Sequence, residues 1–260
     1  MSVILKIKNK SAKGIVRMKL SLCIPMYNEE KILPSSIQTI SSYMKENFGS
    51  DYEIIFINDG SKDASLAIAE QAAKKDETLR VITYAENRGK GYAVRQGVLQ
   101  SLGDVVIFTD CDLAYGMDVI KEMYGLFEDH PEYDVIVGSR RKHREGYEGY
   151  TAVRKFVSLS YIKILSLIGG VKLSDFQCGC KGFRGKVGRE IFSRCIIDRF
   201  AFDLEALIYA QDLHANIGEM PVKVINHRES SIHIVRDSIR MLKDIRRMKK
   251  HRRAEMKKKK

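Results

Sequence analysis

Asp104-Val105-Val106-Ile107-Phe108-Thr109-Asp110-Cys111-Asp112 joins four consecutive apolar residues to a pair of carboxylates. The apolar run is too short for a helix and is bounded by polar residues, so 104–109 reads as a buried strand. In an extended chain, side chains at i and i+2 point the same way. Asp110 and Asp112 can then face one hard cation, Mg²⁺ or Mn²⁺, which prefers oxygen ligands. Taken alone, Asp-x-Asp at a strand end is equally an ordinary turn, so its surroundings decide.

Working outward, strand and helix alternate. Strands are expected at 20–24, 53–57, 80–83 and 134–137, with Pro25 ending the first. Helices are expected after Pro34, after a cap at Asp63, and over 89–101 and 117–128. Continuous apolar strands alternating with helices predict an α/β domain, with a mostly parallel sheet covered on both faces. Ligands of such sheets bind beyond the carboxyl ends of the strands. Polar clusters stand at those ends: Pro25-Met-Tyr27-Asn28-Glu29, Asn58-Asp59-Gly60-Ser61 and Asp110-Cys-Asp112. Tyr27 can stack on a base, and Asp59 can accept hydrogen bonds from a uracil or ribose. Asn87-Arg-Gly-Lys90-Gly91 sets two cations before a helix, whose start favours anions. No Gly-x4-Gly-Lys-Ser/Thr is present and no Gly-x-Gly-x-x-Gly follows the first strand, which argues against a P-loop and a nicotinamide-binding fold.

Past residue 138 the alternation breaks. An apolar helix is expected over 150–168, a helix over 200–213, a strand over 217–225, and a last helix from 232 until the basic tail frays. Val235, Ile239, Leu242, Ile245 and Met248 form one stripe of that helix, the pattern of an interfacial helix or of one packed on the body. The net charge is +12, and residues 236–260 hold 13 Lys or Arg against 3 Asp or Glu. A nearly neutral body with a basic tail points to an anionic partner, a membrane or a nucleic acid. Nucleic acid explains the charge but not three polar clusters on one rim. Five cysteines suggest no disulfide framework, and Cys178-Gly-Cys180 lacks companions for zinc. No run of 18 apolar residues and no leader-like apolar segment occurs, so a peripheral protein on the cytoplasmic side of the membrane is expected, with neither spanning helix nor signal peptide.

Together these motifs resemble the family 2 inverting glycosyltransferases of the GT-A fold. Gly138-Ser-Arg140, Arg154-x-x-x-Ser158, Asp175-Phe-Gln-Cys-Gly179 and Phe200-Ala-Phe-Asp203-Leu-Glu205 are similar to the polyprenyl-phosphate hexosyltransferases, nearest the dolichyl-phosphate β-glucosyltransferase type. The resemblance implies a nucleotide-sugar donor, UDP-glucose, held by Pro25, Tyr27, Asn28, Glu29, Asp59, Gly60, Lys90, Asp110 and Gln177. It implies Mg²⁺ or Mn²⁺ on Asp110 and Asp112, and a polyprenyl phosphate received by Arg140, Arg154 and Ser158. Asp112, Arg140 and Asp175 would carry the chemistry, with Asp175 near the donor sugar. Ala114, Tyr115 and Gly116 depart from the pattern usual after Asp-x-Asp-Leu, which bears on the sugar more than on the reaction. GDP-mannose as donor, a non-lipid acceptor, or nucleotidyl transfer releasing pyrophosphate are the alternatives. The implied organisation is a basic extension at 1–18, a catalytic domain at 19–231 (a donor half 19–138 and an acceptor half 139–231), and a basic helix and tail at 232–260.

Overall fold

The computed structural model describes residues 20–146, 170, 173–175, 177–226 and 234–258. The extension 1–18, the expected helix at 150–168, and with it Arg154 and Ser158, lie outside the described residues.

The donor half follows the predicted alternation: β1 (Leu20–Met26), α1 (Leu33–Phe48), β2 (Tyr52–Asn58), α2 (Ser65–Lys75), β3 (Leu79–Thr83), α3 (Lys90–Gln100), β4 (Val105–Phe108), α4 (Asp118–Asp129) and β5 (Val135–Ser139). Then come β6 (Lys181–Arg184), α5 (Gly185–Arg194), α6 (Phe202–Asp212), β7 (Ile217–Pro221) and α7 (Ile234–Lys258). The seven strands form one sheet in the order β3-β2-β1-β4-β6-β5-β7. All neighbours are parallel except β6, which runs antiparallel to both β4 and β5. Successive strand residues serve opposite faces. Cys23, Ile55, Val106 and Phe108 pack with α3, α5, α6 and α7. Leu22, Ile24, Phe56 and Ile107 pack with α1, α2 and α4. Burial on both faces is why these strands are continuous apolar runs.

Three expectations are corrected. Pro25 does not end β1, which continues to Met26 with Pro25 opposite Ile57. The carbonyl of Cys23 faces β4, accepting the N–H of Thr109 at 3.2 Å, and that of Met26 faces β2, accepting from Asp59 at 2.9 Å. By alternation Pro25 turns its missing N–H toward β4, whose pairing has already stopped at Cys23–Phe108. The strand expected over 217–225 ends at Pro221, because the chain then crosses to the Asp-x-Asp loop, where Ile225 N–H donates to the Ala114 carbonyl at 2.8 Å. The last helix does not fray at its basic end but continues to Lys258. Of the two readings of its apolar stripe, packing on the body is the one found where the stripe is described: Met241, Ile245 and Met248 are buried in the core with α6.

Strand β6 and helix α5 were not foreseen. Lys181-Gly-Phe-Arg184 has a fully buried lysine where a strand pattern wants an apolar residue. Its Gly182 is demanded by Phe127 and Met123, which stand 2.6 and 2.9 Å from where a Cβ would sit. Among the described residues, no helix is long and apolar enough to cross a membrane.

Candidate functional site

The carboxyl ends of β1, β2 and β4 form one rim, and its loops are tied together by side chains. Asn28 takes a left-handed conformation at φ 54°, which turns the chain sharply after β1. Its N–H donates to Ser61 Oγ at 3.0 Å and its Oδ1 accepts from Lys62 N–H at 2.8 Å. Glu29 N–H donates to Ser65 Oγ at 2.7 Å, and Glu30 N–H to Asp63 Oδ2 at 3.1 Å. Asp63 Oδ1 also accepts from Ser65 N–H at 3.0 Å, but the N-cap position of α2 is Ala64, one residue later than the cap the sequence suggested. Above this stitching, beside buried Met26, the Tyr27 side chain is 43% exposed, so its ring is accessible at the rim.

Asp59 is buried, and its carboxylate is filled by protein donors. Oδ1 accepts from Tyr84 Oη at 2.9 Å and Arg88 N–H at 2.8 Å. Oδ2 accepts from Asn87 Nδ2 and Gly89 N–H, each at 2.8 Å. Four donors match the acceptor capacity of a carboxylate. Asp59 therefore shapes the 84–89 segment that launches α3. Gly60, at φ 67°, closes the same turn, since an added Cβ would meet the Asn87 nitrogen at 2.6 Å.

Lys90, the first residue of α3, reaches the strand-end pair and forms an ion pair with Asp110 Oδ1. Burial pushes the Lys90 ammonium down, but Asp110, Asp203 and Asp112 outweigh it and hold its pKa above the usual lysine value. The other carboxylate oxygen of Asp110 lies against Gly179, where a Cβ would come within 2.2 Å. Gly179 N–H donates to Tyr115 Oη at 3.1 Å. Asp112 Oδ1 accepts from Ala114 N–H at 3.1 Å, across a left-handed Leu113 at φ 51°. Ser36 of α1 donates to the Cys111 carbonyl at 2.8 Å and pins the pair from below. Two further charges belong to this cluster and carried no role in the sequence reading. Lys181 pairs with Asp203 and donates to the Cys178 carbonyl at 2.6 Å. Burial raises the Asp203 pKa, against the opposing pull of Lys181 and Lys90. Phe-Asp203-Leu-Glu205 had marked the place, but only the fold brings β6 and α6 to the rim.

Past β5, Arg140 and Asp175 form a buried fork. Nε donates to Oδ2 at 2.6 Å, Nη2 to Oδ1 at 2.9 Å, and Arg140 N–H to Oδ2 at 3.2 Å. Gln177 N–H adds a longer contact to Oδ1 at 3.3 Å. Burial works against the Arg140 charge, but its hydrogen bonds to Asp175 and the carboxylate's field keep its pKa well above the usual value. A carboxylate held in this way orients its neighbours. Beside it, Ser139 Oγ and Ser174 Oγ share a hydrogen bond of 2.6 Å, and Ser174 N–H donates to Glu219 at 2.8 Å.

The donor set suits a divalent cation shared with a ligand. Asp110 and Asp112 offer hard oxygen atoms, and the Lys90 ammonium already lies against Asp110, so the field there favours positive charge. Among the described residues, no group of three or more His, Cys, Asp or Glu is placed to hold a metal. Mg²⁺-type ions are often held by one or two carboxylates plus substrate phosphates, which is what two aspartates on an open rim provide.

Residues 21–192 match the family described as Glycosyl transferase family 2. A dolichyl-phosphate beta-glucosyltransferase of Trichomonas vaginalis is 32% identical over 209 residues, covering 77% of this chain and 62% of that protein. The Homo sapiens dolichyl-phosphate beta-glucosyltransferase is 33% identical over 217 residues, 78% of this chain and 66% of that protein. The chain thus spans less than two thirds of these relatives. Among solved structures, glucosyl-3-phosphoglycerate synthase from Mycobacterium tuberculosis in complex with UDP superposes with a TM-score of 0.66 at 19% identity, covering 89% of this chain and 80% of that one. The same enzyme with Mn²⁺, UDP-glucose and phosphoglyceric acid gives 0.61 at 21% identity, covering 88% and 80%. The likeness is one of fold.

Proposed function

The chain belongs to glycosyl transferase family 2, and from that premise we propose that it transfers glucose from UDP-glucose to a polyprenyl phosphate, with inversion at the sugar. The observation that carries the reading is the Asp110–Asp112 pair at the end of β4 with Lys90 against it, on the rim where a sheet of this type binds its ligand. Kinship with dolichyl-phosphate beta-glucosyltransferases supports glucose and a lipid phosphate. Complexes of the fold neighbour with UDP and Mn²⁺ or Mg²⁺ support the nucleotide and the ion.

In this reading Pro25, Tyr27, Asn28 and Glu29 border the base and ribose, with the Tyr27 ring available for stacking. Asp59 and Gly60 hold the loop that aims Lys90 at the diphosphate. A divalent cation on Asp110 and Asp112 supplies charge neutralisation for the departing nucleoside diphosphate. Arg140 and Asp175 brace the wall beside the sugar, with Gln177 on the same segment. Arg154 and Ser158 receive the acceptor phosphate. A phosphate monoester has a second pKa near 6, so it is already largely dianionic and needs positioning more than a base. The outward face of α7, with Arg246, Lys249, Lys250, Arg253 and Lys257, docks the enzyme on the anionic cytoplasmic leaflet where the acceptor resides.

The test is a panel of UDP- and GDP-sugars offered with a short polyprenyl phosphate and Mn²⁺, with glycolipid products identified by mass spectrometry. The expected product is a β-linked glucosyl phospholipid from UDP-glucose. Exclusive use of GDP-mannose would correct the sugar alone. Pyrophosphate release from a nucleoside triphosphate, with no glycolipid, would replace the reading by nucleotidyl transfer.

A further inference from the structure

We propose that Glu205 is a positioning residue for the donor site: its buried carboxylate clamps the 195–199 turn against the start of α3 and so fixes Lys90 beside Asp110. The proposal rests on reading that rim as the donor site. Glu205 lies in the first turn of α6 and is wholly buried. Its Oε1 and Oε2 accept the Ile196 N–H at 3.1 and 3.0 Å, and Oε2 accepts the Ile197 N–H at 2.8 Å. These two donors follow directly on the end of α5, where the backbone has no helical partners of its own to offer them.

The clamped turn is in backbone contact with α3. The Asp198 carbonyl accepts the Tyr92 N–H at 3.0 Å. The Asp198 carboxylate binds Arg88 at 2.9 Å and Arg95 at 2.7 Å, so one residue grips α3 and the loop before it. Gly89 and Gly91 leave no slack: an added Cβ would meet Asp198 O at 2.6 Å from the first and Ile197 O at 2.8 Å from the second. Lys90 lies between those two glycines, and its ammonium is on Asp110. A displacement of the turn is therefore transmitted to Lys90 with nothing soft between. A core position needs no charge. A carboxylate buried here among apolar side chains carries a desolvation cost, which its backbone partners and then Arg95 and Arg247 offset in part.

The clamp also responds to protons. Arg95 faces Glu205 from α3 and Arg247 from α7, while Cys195 approaches from the end of α5 and Tyr209 from its own helix. Burial pushes the Glu205 carboxyl up to about 7, against the backbone N–H groups of Ile197 and Ile196 and the two arginines. Burial moves Cys195 and Tyr209 further from neutrality, whereas it brings Glu205 to where it changes charge near pH 7. Its folded pKa lies above that of a free glutamate, so its protonation favours the fold, and that contribution is lost as pH rises through about 7. The clamp itself works in the other direction, because an ionised carboxylate holds an N–H more strongly than a neutral one. Donor binding should then strengthen as pH rises through the same range, while global stability eases.

The full chain decides this through wild type, Glu205→Gln and Glu205→Asp. Amide hydrogen exchange reads the clamp at Ile196, Ile197 and Tyr92, and titration with UDP-glucose and Mn²⁺ on either side of neutral pH reads its consequence. Glu205→Gln should melt close to wild type, lose protection at those three amides, and bind UDP-glucose about tenfold more weakly on the alkaline side. It should also lose the wild type's pH dependence of binding, and Glu205→Asp should recover part of it. A folded Glu205→Gln with wild-type protection and wild-type pH profile overturns the proposal. Should Glu205→Gln fail to fold, the wild type still judges it, since protection factors at Ile196 and Ile197 that do not change across neutral pH also overturn it. A wild type that binds no UDP-glucose counts against the donor-site reading, while exchange still reports on the clamp.

Discussion

At the residue scale, the Asp110 carboxylate is held between the Lys90 ammonium and the backbone of Gly179. Asp110 and Asp112 were legible as two carboxylates just beyond an apolar strand, but they lie past the end of β4 in a turn closed by the Leu113 N–H on the Asp110 carbonyl, where the two-residue period of a strand no longer applies. Gly179 was quoted only as part of a motif, yet its missing side chain is what makes room for the Asp110 carboxylate. Asp59 looked like a ligand for a base, and Arg140 and Asp175 like separate contacts for phosphate and sugar. In the fold Asp59 is filled by Tyr84, Asn87, Arg88 and Gly89, and Arg140 and Asp175 bind each other. Side-chain partners from distant segments leave no periodic mark, so spacing could not show them. Gly179→Ala should move the Asp110 carboxylate without disturbing the core, since the clash falls on a side-chain end on the rim. UDP binding that depends on Mn²⁺ should fall at least about tenfold, as it should in Asp112→Asn, with melting temperature nearly unchanged. Calorimetric titration checks this, and a Gly179→Ala protein that binds Mn²⁺ and UDP like the wild type would show that Asp110 tolerates the displacement.

Among the elements, legibility tracked periodicity. Strands β1 to β5 and the four helices between them could be read, because apolar runs and helical stripes repeat. Strand β6 could not, since its buried Lys181 makes sense only once Asp203 and the Cys178 carbonyl are beside it. Helix α7 was read with two possible destinies, and the described part is packed on the body. His251 Nδ1 lies 3.1 Å from Tyr209 Oη, and Arg252 grips Asp212 through Nε at 2.6 Å. Met248 is fully buried beneath that row. Met248→Ala should therefore cost about 2–5 kcal/mol of stability, whereas Lys249→Gln, exposed one residue on, should stay within about 0.5 kcal/mol. Denaturant unfolding measures both, and a neutral Met248→Ala would mean that α7 is not part of the folded core.

For the whole molecule, α7 sets how the protein can lie on a surface. Arg247 faces Glu205 near the start of α6 and Arg252 binds Asp212 at its end, so the two helices run side by side in the same direction. The basic residues 246–257 therefore lie along a flank, leading away from the rim that α6 begins beside. With the described apolar stripe buried, the proposed adsorption to a bilayer would rest on charge, at about 1 kcal/mol per basic residue near an anionic leaflet. Co-sedimentation with anionic vesicles should weaken as salt rises, disappear with neutral lipid, and be lost when Lys249, Lys250, Arg253 and Lys257 are changed to Gln. Unaltered sedimentation of that variant would move the contact elsewhere on the chain. The sequence showed the charge asymmetry but not the flank, because the direction of a helix across a body is decided by partners such as Tyr209 and Asp212. The reversed strand bears on the molecule during its synthesis. Among the described residues, strand β5 bonds only to β6 and β7, so a ribosome must deliver Lys181 before β5 gains the first of these neighbours, and Ile217 before the second. Until then Val135, Ile136 and Val137 are an apolar ribbon with both edges open, the kind of nascent segment that chaperones shelter. The pace of translation between those points sets how long that exposure lasts.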